Sequence, residues 1–380
     1  MKIALFNIII YFGMIILRIM IDMGHPAHVH LFKNVIWGLN KRGHSVLVTA
    51  RNKEVTIDLL KAYNFEYISV GEIGSSKVDL ILEWINRDYE ILKIASKFNP
   101  DILMGMSNPC VAHVSWILRK KAILLDDSEI TTFSHKITYP FANAICTPSL
   151  YKKDLGKKQV RYDGYHELAY LHPNYFTPDP SVLESFGIKE SDKYVILRFV
   201  SWGANHDVGH RGLSLEDKRK AVHEIEKHGR VLITSEKPLP DDLEKYRISA
   251  SPEKIHDLLF YSQVFFGDSQ TMTTEAAILG TPAIRCNSFV GENDMSNFKE
   301  LENKYGLIFN YRDPKKALEK AIELLHTSGL KEKWVDKKEQ LLRDKIDVTG
   351  FITWFTENYP DSFPIMKENP NFQLQFKVVS

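Results

Sequence analysis

Short apolar runs alternate along the chain with longer segments in which apolar residues recur every three or four positions. In the first half the apolar runs are RIMIDM (18–23), SVLVTA (45–50), DILMGM (101–106), AILLDD (122–127) and ANAICTPS (142–149). The segment that follows RIMIDM has helical spacing from Phe32 to Leu39 and begins after Pro26. Strands that alternate with helices form parallel sheets covered on both faces. The pattern therefore predicts an α/β fold, with ANAICTPS closing the first sheet.

The same alternation starts again in the second half of the chain. Its predicted strands are KYVILRF (193–199), RVLITS (230–235), YRISA (246–250) and VFFG (264–267). The stretch Tyr162–Pro180, rich in Tyr, His and Pro, has no clear period and predicts the crossing between two domains. We expect Rossmann-like domains at residues 17–170 and 171–332. Helices at 333–359 are expected to pack back on the first domain, and 360–380 to form a loose tail.

The N-terminus is ambiguous because Ile3–Leu17 is almost entirely apolar and lies between Lys2 and Arg18. Such a segment is too short to span a bilayer comfortably, and no small-residue cleavage site follows it. Two interpretations remain open. Residues 1–17 form a short anchor that gives peripheral membrane association, or residues 1–16 are an extension that results from an incorrectly assigned translation start. The sequence favours the extension, with 18–23 as the first core strand.

Composition narrows the function classes. The 380 residues are 44% hydrophobic and 26% charged, which is typical of a globular protein long enough for two domains. The net charge of +1 gives no support to nucleic-acid binding, which normally requires a basic stripe. The three cysteines, Cys110, Cys146 and Cys286, are far apart, so neither a disulfide framework nor a zinc ribbon is expected. A reducing, cytoplasmic location fits best, and the oligomeric state is left open.

The segment GDSQTMTTEAAILGTPAI (267–284) carries the strongest chemical signal. An apolar run precedes it, Thr273–Leu279 is helix-forming, and Gly280 provides a C-cap, so the unit is a strand, a polar loop and a helix. The residues that can cap its first turn are Asp268, Ser269 and Thr271. Unpaired N–H groups at such a helix start bind anions, and a phosphate fits there.

Glu275 lies about one turn into this helix. A carboxylate at that place can accept hydrogen bonds from two vicinal hydroxyl groups, as acids do from the ribose of a nucleotide. The alternative for the whole segment is an ordinary capped helix in which Glu275 only complements the helix dipole. The segment alone does not decide between these interpretations.

The motif, together with IHDLLFYSQVFFG (255–267), resembles the donor-nucleotide segment of the GT-B superfamily. That superfamily contains many glycosyltransferases and the non-hydrolysing UDP-N-acetylglucosamine 2-epimerases. The segment RIMIDMGHPAHVHLFKNVIWGLNKRGHSVLVTAR (18–51) resembles its first βαβ unit. With LRFVSWGANHDVG (197–209), the chain is most similar, over residues 17–350, to a GT-B-like family known mainly as a domain of unknown function. The resemblance implies two Rossmann-like parallel-sheet domains that face each other across a cleft.

The resemblance also implies where a nucleotide-sugar donor binds. It places Glu275 on the donor ribose and the segment Ser251–Ile255 near the base. The hydroxyl residues implied near the diphosphate are Ser269, Thr271 and Thr274. The residues implied in the loop after the first strand of the second domain, also near the diphosphate, are Arg198, Ser201 and Gly203. An arginine suits that loop because the leaving nucleoside diphosphate gains negative charge in the transition state. Its alternative role is a surface or interdomain ion pair.

The segment GHPAHVH contributes His25, His28 and His30. His28 matches a histidine that some GT-B transferases place at the start of the first helix, where the helix dipole favours the neutral ring. A neutral ring can accept a proton from an acceptor hydroxyl, so His28 is a candidate general base, with His25 beside it. At least one of the three is expected to act only as a cap or an interdomain contact. No metal site is expected, since the superfamily generally works without metal.

Acidic residues end the strand at 122–127. Asp126 lies where the 2-epimerases have a catalytic acid, although only the position matches, and His206 lies roughly where they carry a catalytic histidine. Such a pair can remove and return a proton at a sugar carbon, or orient an acceptor. If Asp126 and Asp127 both belong to the strand, they point to opposite faces and only one enters the cleft. Capping of the next helix is the alternative.

The preferred function is a glycosyltransferase, for hexosyl or N-acetylhexosaminyl transfer in surface polysaccharide or glycoconjugate synthesis. The expected partners are a nucleotide-sugar donor, most simply UDP-linked, and a sugar or lipid-linked acceptor, with no other cofactor. A non-hydrolysing sugar-nucleotide 2-epimerase is the first alternative, and a non-catalytic nucleotide-sugar-binding protein is the second. A dinucleotide-dependent oxidoreductase is disfavoured because GHPAHVH lacks the Gly-x-Gly-x-x-Gly spacing and the second strand ends without a ribose-binding acid.

Overall fold

A sheet of seven parallel strands forms the centre of the first domain. The computed structural model describes residues 16–53, 55–72, 77–130, 132–200, 211–235, 238–248 and 251–377. The strands are β1 Arg18–Met23, β2 Ser45–Asn52, β3 Tyr67–Glu72, β4 Ile102–Met106, β5 Lys121–Leu125, β6 Ala144–Pro148 and β7 Gln159–Tyr162. Their spatial order is β3-β2-β1-β4-β5-β6-β7. Helices cover both faces of this sheet, which explains why its strands are apolar on both sides.

The helices of the first domain follow the predicted alternation. They are α1 Pro26–Lys41, α2 Thr56–Ala62, α3 Lys77–Phe98, α4 Pro109–Ile117 and α5 Thr132–Thr138. Pro26 occupies the first position of α1, where a missing N–H costs nothing, and the His25 ring caps the first turn. On one face of the sheet, α3 and α4 enclose a separate apolar cluster with Met20, Leu103 and Leu124.

The second domain has five parallel strands in the order β12-β11-β10-β8-β9. They are β8 Tyr194–Phe199, β9 Arg230–Ser235, β10 Val264–Gly267, β11 Ala283–Cys286 and β12 Ile308–Tyr311. The helices are α8 Leu215–Ile225, α9 Asp241–Glu244, α10 Ile255–Tyr261, α11 Gln270–Leu279, α12 Ser296–Asn303 and α13 Pro314–Leu325. Gly267 ends β10 where an added Cβ would lie 2.4 Å from the carbonyl oxygen of Arg198, so only glycine allows β8 and β10 to approach there.

The connector and the C-terminal helices join the domains. The connector holds the short helices α6 Leu168–Leu171 and α7 Ser181–Glu184, and the C-terminal helices are α14 Leu330–Asp344, α15 Val348–Glu357 and α16 Ser362–Glu368. Helix α14 packs on the second domain, whereas residues 333–359 were expected to pack on the first: Trp334 Nε1 donates to the carbonyl oxygen of Leu307 over 2.9 Å. Helix α15 packs against α1 and α6, and Thr349 donates to the carbonyl oxygen of Ala169 over 2.7 Å.

Three predictions about strands and the C-terminal tail differ from the structure. The first sheet does not end with the segment at 142–149, because the four-residue strand β7 pairs outside it. The segment YRISA makes only an isolated bridge, between Ile233 and Arg247, in the described part of the chain. The tail predicted as loose is folded as far as residue 377: Met366 is buried, and the rings of Phe372 and Phe376 pack on Trp354. Apolar contacts with α15 order this tail although it contains no long periodic segment.

The carboxyl ends of both sheets face the interdomain cleft. Ser296, at the start of α12, donates its hydroxyl to Glu129 of the first domain over 2.7 Å. On the other side of the cleft, the rings of His30 in α1 and His256 in α10 are 4.7 Å apart. The domains therefore touch at two places along the cleft. Within the described residues, no helix is long and apolar enough to cross a membrane.

Candidate functional site

A small cavity of about 20 Å³ lies between the domains, and the space around it is about 340 Å³ when the open solvent at its mouth is included. Its polar lining residues are Asp127, Glu129, Tyr151, Tyr165, His166, Glu167, Ser296 and Asn297. The first three belong to the first domain, the next three to the connector, and the last two to the second domain. We call this cavity and its lining the open half of the cleft. Its mixture of aromatic and ionisable side chains is typical of small-molecule sites.

The ring of His166 faces this cavity and is 5% exposed. Its Nδ1 atom lies 3.1 Å from Asp127 Oδ2, and among the described residues neither ring nitrogen makes a well-aligned hydrogen bond. Burial lowers the pKa of His166, but the charge of Asp127 and its hydrogen-bonding oxygen outweigh burial, so the net shift is upward. Asp127 is the nearest acceptor for an Nδ1–H group, which leaves Nε2 free to accept a proton.

Glu167 follows His166 and also lines the cavity. Burial, reinforced by the negative charge of Asp127, raises its pKa from 4.5 to about 8. The carboxyl group therefore carries a proton at neutral pH and can donate a hydrogen bond. Asp127, His166 and Glu167 bring an acid and a base to one wall of the open half, which is the combination that acid–base chemistry needs.

Asp126, the predicted acid, does not reach the cavity. Strand β5 ends at Leu125, and the buried Asp126 side chain binds His135 over 2.8 Å and also accepts hydrogen bonds from Tyr139 and the Ser128 N–H group. Burial opposes ionisation of Asp126, but His135 and the other hydrogen bonds lower its pKa overall. Because Asp126 has these partners, it holds the loop after β5, and its neighbour Asp127 faces the cavity instead.

The start of α1 also adjoins this site. His25 caps the helix, and its Nδ1 accepts the N–H of Ala27 over 3.2 Å. His28 Nδ1 accepts the N–H of Gly24 over 3.2 Å. Burial, aided by the charges of His25 and His166, holds the pKa of His28 well below its usual value, so the ring is neutral. With Nδ1 accepting, the proton of the neutral ring is on Nε2. In this arrangement His28 can donate a hydrogen bond, and acting as a base requires the bond to Gly24 to break.

The other half of the cleft is filled by side chains from both domains. We call it the packed half and define it by His30 and Lys33 of α1, Tyr170 of the connector, and His256 and Glu275 of the second domain. The His30 ring stacks on Tyr170 at 5.1 Å and meets His256 edge-on. Burial lowers the pKa of Lys33 to about 8, although the nearby carboxylates of Asp257 and Glu275 favour its charge.

Glu275 is the central group of the packed half and is only 4% exposed. Its Oε1 accepts a hydrogen bond from the Tyr170 hydroxyl over 2.8 Å and lies 3.0 Å from His256 Nε2. Burial works against ionisation, but the charge and hydrogen bond of His256 lower the pKa of Glu275 overall. The carboxylate is therefore ionised, and a ribose that binds Oε1 competes with these two donors.

The predicted phosphate site lies at the start of α11. Ser269 is the N-cap, and its hydroxyl accepts the N–H of Met272 over 3.3 Å. Thr271 is half-buried, whereas Thr274 is fully buried and turns its hydroxyl back to the carbonyl oxygen of Gln270. Arg198 is the last but one residue of β8 and pairs with Gly267, and its charge helps to lower the pKa of Glu275. Ser269, Thr271 and Arg198 thus surround the helix start, while Thr274 faces the protein interior.

Three predicted site residues, Ser201, Gly203 and His206, lie outside the described residues. In the described part of the chain, no cluster of three or more His, Cys, Asp or Glu side chains is arranged to hold a metal ion. The sequence prediction also missed His166 and Glu167. They lie in the stretch 162–180, where no hydrophobic period marks an element, and the only signal there was its richness in Tyr and His.

Comparison with known proteins identifies the class. The fold is the GT-B fold, as predicted, and the solved structures that share it include an epimerase and a glycosyltransferase. A UDP-GlcNAc 2-epimerase from Neisseria meningitidis bound to UDP-GlcNAc has a TM-score of 0.60 and 13% identity, covering 89% of this chain and 100% of that chain. The spinosyn rhamnosyltransferase SpnG has a TM-score of 0.60 and 13% identity, covering 90% and 100%. At these identities the similarity shows the fold alone.

The chain belongs to the family described as Protein of unknown function (DUF354), whose model matches residues 17–348. An uncharacterized protein of Methanocaldococcus jannaschii, MJ0665, is 23% identical over 284 residues, which is 72% of this chain and 82% of that protein. The similarity to MJ0665 and the family match extend over both domains, as the resemblance at residues 17–350 implied.

Proposed function

We propose that this protein is a GT-B glycosyltransferase that uses a nucleotide-diphosphate sugar. The observation that carries the proposal is the open half of the cleft, where the Asp127–His166 pair and the protonated Glu167 line one cavity. A base that is oriented by a carboxylate can activate an acceptor hydroxyl, and a neighbouring proton donor can bind the sugar. In this proposal the start of α11 and Arg198 hold the diphosphate of the donor, and the donor sugar extends to the open half.

The proposed transfer proceeds at the anomeric carbon of the donor sugar. The acceptor hydroxyl gives its proton to His166 Nε2, and its oxygen forms a bond to the anomeric carbon. The bond from that carbon to the diphosphate oxygen breaks, and its electron pair leaves with the nucleoside diphosphate. Arg198 and the N–H groups at the start of α11 stabilise the charge that develops there. Glu167 donates a hydrogen bond to the sugar.

Two arguments support the substrate class. The solved structures that share this fold include a sugar-nucleotide epimerase and a glycosyltransferase, so nucleotide sugars are the first ligands to test. The second domain also provides Glu275 for a ribose and the start of α11 for a diphosphate. Both lie at the carboxyl ends of a parallel sheet, where such ligands bind. The proposed acceptor is a sugar or a lipid-linked sugar in surface polysaccharide or glycoconjugate synthesis.

The first experiment is a thermal-shift screen with UDP, GDP, dTDP and their sugars, because a ligand that binds only the folded state raises the melting temperature. We expect one nucleotide to stabilise the protein, and Glu275→Gln to abolish that shift. Stabilisation by NAD(P) alone, or by no nucleotide at all, would contradict the proposal. The stabilising nucleotide then names the sugars to use in assays of nucleoside diphosphate release with added acceptors.

The two candidate bases can be separated in that assay. If His166 is the base, His166→Gln reduces turnover by about 10²- to 10⁴-fold and leaves donor binding nearly unchanged. If His28 is the base, His28→Ala has that effect instead. The tautomer of His28 predicts a smaller loss, because its Nε2 donates a hydrogen bond. Equal losses of turnover and donor binding in either variant would assign that histidine a structural role.

A sugar-nucleotide 2-epimerase is the second candidate, and one observation favours it. Asp127 faces the cavity and is next to Asp126, the residue at which the resemblance implies an epimerase acid. Incubation of the identified nucleotide sugar in deuterated water separates the two reactions. Epimerisation exchanges a sugar C–H for deuterium without releasing the nucleotide, whereas transfer releases the nucleoside diphosphate and leaves the carbon-bound hydrogen in place.

A further inference from the structure

The first domain has an exposed surface opposite the cleft, at the amino ends of its strands. Helices α3 and α4 lead into β4 and β5, so their carboxyl ends lie at this edge of the sheet. We call the surface the amino edge. It is defined by Ile16, Lys97, Trp116, Ile117, Arg119 and Lys121.

Backbone contacts join these residues into one surface. The Asp101 N–H donates to the carbonyl oxygen of Arg18 over 2.7 Å, and the Lys121 N–H donates to that of Asp101 over 3.3 Å. The Arg119 N–H donates to the carbonyl oxygen of Trp116 over 3.2 Å. The Arg18 guanidinium lies 4.7 Å over the ring of Phe98, the residue after Lys97. The start of β1, the end of α3 and the end of α4 are therefore direct neighbours.

The amino edge exposes large apolar side chains. Ile16 is 67% exposed, Trp116 is 64% exposed and Ile117 is 52% exposed. The Trp116 ring is held by an edge-on contact with Phe141 at 5.5 Å. A fixed, exposed tryptophan beside isoleucines is typical of surfaces that enter the interfacial region of a bilayer.

The same edge is basic, although the whole chain has a net charge of only +1. Lys97, Arg119 and Lys121 are exposed, and so is Arg18, while Asp101 is the acid between them. Arg119 has a φ of 55°, in the left-handed region that glycine or asparagine occupies at lower cost. The turn after α4 thus presents consecutive basic residues, Arg119 to Lys121, beside the exposed tryptophan.

The chain that precedes the described residues joins the domain at this edge. Ile16 is the first described residue, and in residues 1–15 the only charged side chain is that of Lys2. An apolar sequence, exposed apolar side chains and a basic rim therefore coincide at one end of the first domain.

We propose that the amino edge binds the surface of an anionic lipid bilayer. Trp116, Ile117 and Ile16 enter the headgroup region, and the basic side chains around them meet the negative phosphates. The strands hold the cleft about 20 Å from this edge, so lipid contact leaves the nucleotide-sugar site open. The inference does not depend on the proposed function, since no residue of the open or packed half takes part.

The test is sedimentation of the full chain with vesicles, at low and high salt. The vesicles are pure phosphatidylcholine or a mixture of phosphatidylcholine and phosphatidylglycerol. We expect binding to the mixed vesicles that weakens with salt, and much weaker binding to the neutral ones. The variant Lys97→Glu/Arg119→Glu/Lys121→Glu should weaken binding about a hundredfold, because each reversed charge acts at a negative surface. Trp116→Ser/Ile117→Ser should weaken it about tenfold.

Matched control variants come from the exposed surface of the second domain. Lys315→Glu/Lys316→Glu/Lys333→Glu reverses three charges, and Leu215→Ser/Val335→Ser replaces two exposed apolar side chains. Both controls should bind vesicles within about twofold of the parent protein, since neither set belongs to the amino edge. Parent-like binding by both amino-edge variants would overturn the proposal. It would also be overturned if the parent protein ignores anionic vesicles, or if Trp116→Ser/Ile117→Ser only dissociates a dimer, which would assign the edge to a second copy of the chain.

Discussion

The two halves of the interdomain cleft use similar residue types in opposite ways. In the packed half, Glu275 is ionised and held by Tyr170 and His256, and the Tyr170 ring stacks on His30. In the open half, His166 lies against a cavity without a well-aligned hydrogen bond, and Glu167 keeps its proton. A buried carboxylate that already accepts hydrogen bonds is stabilised by them. Groups beside a cavity that lack such hydrogen bonds are available for a substrate.

The connector links these two halves within one short segment. His166 and Glu167 face the cavity, and Tyr170, three residues later, reaches Glu275. The charge of Glu275 also contributes to the raised pKa of Glu167, so the halves are electrostatically coupled. We therefore expect that a ribose displacing Tyr170 from Glu275 also moves the residues that meet the sugar. The predictions below test this comparison, beginning with the largest expected effect.

Removing the central carboxylate should disrupt the packed half most strongly. Glu275→Ala is expected to cost about 3 kcal/mol of folding free energy, because it leaves buried partners unpaired. It should also weaken nucleotide binding at least about a hundredfold, since two hydrogen bonds from the ribose to a charged group are lost. Urea denaturation and calorimetric titration with the stabilising nucleotide measure the two effects. Glu275→Gln keeps the shape of the side chain but removes its charge, so it separates the effect on folding from the effect on nucleotide binding. Unchanged nucleotide affinity in both variants would remove Glu275 from the donor site.

The open half should give a distinct dependence of stability on pH. The folded-state pKa of Glu167 is raised from 4.5 to about 8, so between these values the folded protein keeps a proton that the unfolded chain has released. Its contribution therefore makes the free energy of unfolding fall as pH rises through this window. Glu167→Gln should remove this pH dependence. The decrease in the free energy of unfolding that it abolishes across the window is on the order of a few kcal/mol.

Urea denaturation at several pH values between about 5 and 9 tests this prediction. His166, Asp127 and Glu275 also face Glu167, so the parent and variant must be compared directly at each pH. Glu332→Gln, at an exposed position of α14, is the matched control and should keep the parental slope. A slope that survives Glu167→Gln would mean that the neighbours, and not Glu167, hold the extra proton.

The hydroxyl of Tyr170 offers a more selective change in the packed half. Tyr170→Phe keeps the ring contacts with His30 and His256 but removes the donor that competes with a ribose for Glu275. We expect nucleotide affinity to rise about tenfold while folding loses about 1 to 2 kcal/mol. Tyr194→Phe, which removes a buried hydrogen bond to the carbonyl oxygen of Leu258, is the control and should cost stability without changing the affinity. A lower affinity in Tyr170→Phe would show that Tyr170 contacts the nucleotide itself.

The sequence predicted more of the residues of the packed half than of the open half. The helix start at Ser269 and the C-cap at Gly280 follow from local rules, and both are present. Glu275 could be singled out because it stands at a fixed spacing from that start. Its partners could not, because Tyr170 lies 105 residues away and reaches Glu275 only through the packing of α6 between the domains. Local patterns predict elements, whereas such contacts depend on the arrangement of whole domains.

The open half depends on details that single strands do not reveal. The run AILLDD was expected to be a strand throughout, but β5 ends at Leu125, and the turn that follows directs Asp126 inward and Asp127 to the cavity. One residue of difference at a strand end thus changes which acid is available. The histidine that pairs with Asp127 comes from the connector, where the absence of periodicity hid its position.

The smallest predicted effect concerns the cap at the start of α11. Ser269→Ala removes the hydroxyl that accepts the Met272 N–H, and should cost about 1 kcal/mol of folding free energy. Ser214→Ala removes the equivalent cap of α8, which lies outside both halves of the cleft, and should cost a similar amount. Denaturation curves therefore cannot distinguish the two variants, but nucleotide titrations can. If the start of α11 holds the diphosphate, only Ser269→Ala lowers nucleotide affinity, by a few-fold, because the free N–H groups there lose their orientation. Equal affinities in both variants would place the diphosphate elsewhere and leave Glu275 as the sole link between the packed half and the nucleotide.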